Sequence, residues 1–229
     1  MGYSIHAATP STLADADSTR AFMANVYRWM FVGLTVSGLV AFQTAASSAA
    51  WRFAQRFYWP LCIVEVVMVF ALARMAPRLS GFTAAVLYLA YASVSGVTLS
   101  FIFMVYKLGT LANVFAVTAF AFLALSLYGT FTKRNLSAWA SFLYFGLFGV
   151  LAAMVVGCFV HSSLLGFVTS CAGVVVFGGL TAYDTQKLRR YHLKSHGSAE
   201  GSLAIVGALT LYLDFINLFL ELLSLGGND

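Results

Sequence analysis

The sequence predicts an all-α integral membrane protein, a bundle of seven transmembrane helices, and three observations carry that prediction. Of the 229 residues 61% are hydrophobic and only 9% charged, where an ordinary soluble domain carries about 25% charged residues. The apolar residues gather into seven runs, each near the ~20 residues that cross about 30 Å of hydrocarbon. The basic residues fall between those runs and favour alternate connections.

Residues 1–20 read as a polar tail, with Pro10, Ser11 and two aspartates, and the transmembrane domain as 21–229. The tail lacks the basic stretch, short apolar run and small-residue cleavage site of a signal peptide. The first span runs from about residue 24 to 46, with Tyr27, Arg28 and Trp29 as interfacial anchors. A short loop holding Arg52 and Arg56 leads to the second, roughly 58–75, which contains Glu65 and ends in Arg74, Pro77 and Arg78. The remaining spans fall at about 82–106, 111–131, 138–160, 164–184 or beyond, and 203–225. Short connections make consecutive helices antiparallel neighbours.

Seven spans put the N-terminus and the second, fourth and sixth loops on one side. That side collects ten basic residues (Arg20, Arg28, Arg74, Arg78, Lys133, Arg134, Lys187, Arg189, Arg190 and Lys194), and the other has Arg52, Arg56 and Lys107. The excess predicts a cytoplasmic N-terminus and a C-terminus outside.

Several function classes find no support. Cys62, Cys158 and Cys171 sit singly inside apolar runs, which suits neither a disulfide framework nor a zinc site. His192 and His196 stand four apart without an acid or cysteine to complete a metal set. The net charge of +5 lies between apolar runs, which fits topology and anionic headgroups and not nucleic acid. There is no phosphate loop, no HExxH and no nucleophile elbow, so no enzyme is predicted and no cofactor is expected. Two rows of small residues, Ala92/Gly96/Ser100 and Gly149/Ala153/Gly157, have the spacing that lets helix backbones approach closely.

The last run is the informative one, because it carries acids where a membrane helix should have none. Thr210, Asp214, Asn217 and Glu221 recur at i, i+4, i+7 and i+11 and so share one helix face. An ionisable side chain at bilayer depth costs about 2.5–3.5 kcal/mol on insertion scales, and persists by facing a bundle interior or a wet cavity. The stripe is therefore expected to point inward. Asp184 ends the sixth run, and Asp214 needs a partner from another helix, because its own carries no Lys or Arg. Two carboxyls brought together cannot both ionise cheaply, so they titrate as a unit. A consistent arrangement clusters Asp184 and Asp214 with an arginine of the second helix, Arg74 or Arg78. Glu65 and Glu221 then line the outer half of a cavity. Buried groups that merely fix helix register are the alternative.

The segments Thr181-Ala182-Tyr183-Asp184-Thr185-Gln186-Lys187 and Gly207-Ala208-Leu209-Thr210-Leu211-Tyr212-Leu213-Asp214-Phe215-Ile216-Asn217-Leu218-Phe219-Leu220 resemble the signature of the Bax inhibitor family, also called the transmembrane Bax inhibitor motif (TMBIM) family. The resemblance covers nearly the whole chain and is nearest in flavour to the bacterial YccA-like branch. It implies seven helices arranged around a central C-terminal helix, and a pH-sensitive calcium leak in a bacterial inner membrane. It further implies that Asp184 and Asp214 form the pH-sensing pair, with Arg74 or Arg78 as the latch upon it. Glu65, Asn217 and Glu221 are then expected along the cation pathway, and Asp184 and Asp214 are the candidate metal ligands. Expected partners are the lipid bilayer, Ca²⁺ and H⁺. An alternative role is a regulatory membrane protein that binds the FtsH membrane protease.

Overall fold

The computed structural model describes residues 10–75, 78–157, 159–160, 162–195 and 200–226. Cys158, Pro77, His196 and residues 1–9 of the predicted tail lie outside the described residues. The elements are α1 (Pro10–Ala46), α2 (Ser48–Arg56), α3 (Tyr58–Met75), α4 (Gly81–Leu99), α5 (Ile102–Val105), α6 (Leu108–Phe131), α7 (Ala140–Gly157), α8 (Ser163–Ser195) and α9 (Glu200–Gly226), with a 3-10 turn at Leu136–Trp139 before α7. No strand occurs among the described residues. Seven helical segments are long and apolar enough to cross a membrane, and they begin and end within a few residues of the predicted spans except at the outer ends of α1 and α8.

Local chemistry explains the element boundaries. Ser47 and Ser80 cap α2 and α4, their hydroxyls accepting from the amides of Ala50 at 3.4 Å and Thr83 at 3.2 Å, which satisfies donors that a helix start leaves open. Pro60 falls in the first turn of α3, where its missing N–H costs nothing. The third span breaks after Leu99: the Ser100 hydroxyl turns back to donate to the Val97 carbonyl at 2.6 Å, and the chain resumes as the single turn α5.

Two helices outrun the bilayer. At ~1.5 Å per residue, α1 with 37 residues and α8 with 33 are each about 50 Å or longer, well beyond ~30 Å of hydrocarbon. Part of the predicted tail is therefore helix, from Pro10 onward. The segment carrying Arg52 and Arg56, expected as a loop, is also a helix, α2.

The last helix is the centre of the bundle. Its most apolar window is 61% buried, against 6% for α3 and 11% for the α7 span, and it touches α1, α3, α4, α6 and α8. Outward-facing aromatics such as Phe82 (81% exposed) and Phe145 (79%) have no reason to be there in water and suit a hydrocarbon solvent. The row Ala92/Gly96/Ser100 is buried against α1, where a Cβ at Gly96 would come 2.6 Å from the Ser37 carbonyl oxygen. The other row does not serve that purpose, because Gly149 and Gly157 have nothing within 4 Å.

Candidate functional site

Helices α8 and α9 run antiparallel and pack more extensively than any other pair. Their facing stripes follow from sequence spacing: Gly173, Phe177, Leu180 and Asp184 share one face of α8, and Asp214, Leu218 and Glu221 one face of α9. The register is fixed at one end by Gly173, where a Cβ would come 2.5 Å from the Glu221 carboxyl carbon. Only a glycine leaves room for that carboxyl. Counting back along both helices sets Asp214 level with Leu180, one turn or roughly 6 Å along the axis from Asp184.

The structure thus brings Asp184 and Asp214 together. Both are buried, at 5% and 6% exposure, and the Asp184 carboxyl lies close enough for its charge to act on Asp214. Among the described residues Asp184 Oδ1 and Asp214 Oδ2 have no hydrogen-bond partner. The nearest cation is Lys187, whose Nζ is 3.7 Å from Asp184 Oδ1. Lys187 also donates to the Tyr144 hydroxyl at 3.2 Å and lies over the rings of Tyr144 and Tyr183, so it links the acid pair to α7.

Arg74 and Arg78 do not occupy the latch position in this conformation. Both are exposed at the α3–α4 connection, and neither forms an ion pair with either aspartate among the described residues. Lys187 was legible as a partner, because Asp184 and Lys187 are spaced i, i+3 on one helix, whereas an arginine from another helix depends on depth and rotation that sequence does not give.

The other candidates distribute along two separate faces of α9. Glu221 is 3% exposed, and among the described residues its Oε1 has no hydrogen-bond partner. It walls a cavity of about 470 Å³ between the end of α7, the first turns of α8 and the end of α9. Between this cavity and the aspartates lies an apolar layer, where Val176, Phe177 and Leu180 of α8 pack with Leu143 and Val150 of α7 and Leu218 of α9. Asn217 is half-buried and donates to the Leu213 carbonyl of its own helix at 2.8 Å, as Thr210 does to Val206 at 3.0 Å.

Glu65 stands apart from these acids. Its carboxylate accepts from the Thr98 hydroxyl at 2.5 Å and belongs to the side where Tyr212 donates to Ser95 at 3.0 Å and Tyr88 and Tyr91 meet Tyr212 edge-on. Glu65 and Glu221 therefore do not line one cavity. Among the described residues no group of three His, Cys, Asp or Glu side chains gathers as a metal site, so Asp184 and Asp214 have no third such ligand beside them.

Around the acid pair, the C-terminal half of α8 is pinned. Gln186 accepts from the Leu136 amide at 3.0 Å and donates to the Arg134 carbonyl at 2.9 Å. Arg189 donates to the Thr130 carbonyl and Arg190 to Asn135 at 2.6 Å. His192 bonds Ser18 at 2.9 Å and stacks on Phe22 with ring centroids 4.4 Å apart, which ties the overhanging ends of α8 and α1 together. None of these polar clamps was singled out from sequence. Gln186 had a signal all the same, as a polar residue beside the acid in the motif.

The family profile described as "Inhibitor of apoptosis-promoting Bax1" matches residues 19–229. The inner membrane protein YbhL of Escherichia coli K12 is 42% identical over 215 residues, covering 91% of this chain and 92% of its own. A protein of Deinococcus radiodurans is 39% identical over 213 residues, covering 93% and 92%. One of Borreliella burgdorferi is 38% identical over 207, covering 88% and 89%.

Proposed function

The chain belongs to the Bax inhibitor family and is a multi-pass membrane protein, and from that premise we propose that it is a pH-sensitive cation leak, with Ca²⁺ the expected ion, gated by protonation of the Asp184/Asp214 pair. The observation that carries this reading is the pair itself: two buried carboxyls on facing helices, each with an oxygen lacking a hydrogen-bond donor. Such groups are costly in a merely structural role. The similarity to an E. coli inner membrane protein supports a plasma-membrane location, and the basic residues gathered at one end support a cytoplasmic N-terminus.

In this reading the conformation described is closed. The layer of Phe177, Leu180 and Leu218 is a dry constriction of the kind that blocks ions by excluding water. Ionised Asp184 holds Lys187, and Lys187 holds Tyr144, so α7 and the acid-bearing part of α8 are drawn together below that layer. Protonating the pair removes the charge that holds Lys187 and lets α7 and α8 part, whereas full protonation also removes the negative charge that attracts a cation. Flux therefore rises from pH 8 to mildly acidic pH and falls again below it. The latch is assigned to Lys187; Arg74 and Arg78 would serve only in another conformation. The pathway runs along Asp214, Asn217 and Glu221, and Glu65 belongs to it only if α3 moves.

The test is Ca²⁺ uptake into proteoliposomes between pH 5 and 8, wild type beside Asp184→Asn and Asp214→Asn. The expected result is a peaked pH profile that either substitution flattens. Unchanged flux and profile in both variants would overturn the gate. No flux at any pH in the wild type would overturn the leak and turn attention to a regulatory role through a partner such as a membrane protease.

A further inference from the structure

The cavity beside Glu221 has a composition that an ion path does not require. Its volume of about 470 Å³ falls within the ~300–1,000 Å³ of small-molecule sites. The walls are largely apolar, with Met154, Val160, Leu165 and Leu220 prominent, and the polar groups deep in it are Thr169, Ser170 and the Glu221 carboxyl. Thr169, Ser170 and Glu221 are all more than nine-tenths buried.

Three features narrow the ligand. Glu221 lines the cavity with a carboxyl bonded by the neutral Ser170 hydroxyl, and among the described residues no Lys, Arg or His lines it, so a cationic ligand would meet no rival charge there. A hard divalent cation wants ~6–8 oxygen ligands, far more than one carboxylate and two hydroxyls, and would leave most of the space unfilled. Gly173 also leaves the room that the carboxyl occupies at the cavity wall. We propose that the Glu221 cavity binds a primary ammonium carried on an apolar body, with the ammonium on Glu221 and the body against Met154, Leu165 and Leu220. The site lies beyond the apolar layer from the aspartate pair and needs neither ion flux nor Asp184 and Asp214.

A lipid with an ethanolamine headgroup and a free hydrophobic amine offer the same chemistry, and the membrane composition separates them. The full chain is placed in phosphatidylcholine nanodiscs and titrated calorimetrically with 2-phenylethylamine at pH 7, with empty nanodiscs as the blank and 2-phenylethanol as the neutral counterpart. Saturable amine binding is expected, weaker by about tenfold or more for the alcohol and for Glu221→Gln, the loss that follows from removing one charge-assisted contact. Gly166→Leu gives a second reading: Gly166 lines the cavity and a Cβ there meets nothing within 4 Å, so the larger side chain has room to enter the cavity and should abolish binding in a folded protein. Asp214→Asn should bind the amine as wild type does, which keeps this result separable from failure of the gate. Competition by phosphatidylethanolamine in the discs identifies the headgroup as the natural occupant, and its absence a free amine; either supports the site. Equal binding of amine and alcohol, or binding unchanged in Glu221→Gln and Gly166→Leu, would overturn it.

Discussion

The two sides of α9 handle buried polarity in opposite ways. Toward α3 and α4 the polar groups are largely answered: Glu65 accepts from Thr98, and Tyr212 donates to Ser95. The Tyr88 hydroxyl is the exception on that side, and it is a neutral group. Toward α8, Asp214 and Glu221 each keep an oxygen without a donor, as does Asp184 across from them. A neutral hydroxyl left alone costs far less than a carboxylate. The side toward α1, α3 and α4 reads as the part of the bundle that holds the fold, and the α8 side as the part that gives up stability for a chargeable site.

The backbone spacing tells the same story, and the largest expected effect tests it there. A Cβ at Gly96 would meet the Ser37 carbonyl oxygen at 2.6 Å, which is backbone and cannot step aside, whereas at Gly173 it would meet the movable end of Glu221. Gly96→Ala should destabilise the bundle by about 1–3 kcal/mol, the usual cost of overpacking. Gly173→Ala should displace the carboxyl at a smaller cost. Thermal unfolding in one detergent measures both. Equal losses would mean that the two seams are equally rigid.

Asp214→Leu should act in the opposite direction. It removes a buried carboxyl with no donor and replaces it with an apolar side chain, and a gain of about 1–3 kcal/mol is expected, the cost of a buried unsatisfied group. The same variant should lose the pH dependence of flux. On the other side, Tyr212→Phe deletes a hydroxyl that is answered by Ser95 and should cost about 1 kcal/mol while leaving the pH profile in place. A loss of stability in Asp214→Leu would show that the acid is structural and would remove the contrast.

How far the sequence carried this reading depends on the kind of information. The second span was read at residues 58–75 and is α3 over the same residues, because a run of apolar residues long enough for a bilayer needs no partner to be recognised. The inward polar stripe was legible for the same reason, since helix periodicity puts Asp214 and Glu221 on one face, and both are buried. What was not legible lies between helices. That Arg74 stays exposed depends on the rotation of α3, and that Glu65 faces Thr98 and not Glu221 depends on which neighbour each helix has. The helix Ser48–Arg56 was missed because nine residues with two arginines are too short and too polar for the signals that reveal a span. The overhang of α8 placed His192 on Phe22, a contact no spacing rule announces.

The smallest predicted effect asks whether a small-residue row must be a seam. Gly149/Ala153/Gly157 has the spacing of Ala92/Gly96/Ser100, yet at Gly149 an added Cβ meets nothing within 4 Å, and the residue is exposed. In a single copy Gly149→Ala then only restricts the unfolded backbone and improves helix propensity, a gain of about 0.5–1 kcal/mol. If a second copy packed on this face, the same methyl would intrude between two backbones and the sign would reverse. Unfolding measured at two protein-to-detergent ratios separates the cases: a gain at both ratios leaves the row to lipid, and a loss confined to the concentrated sample makes it a contact between copies.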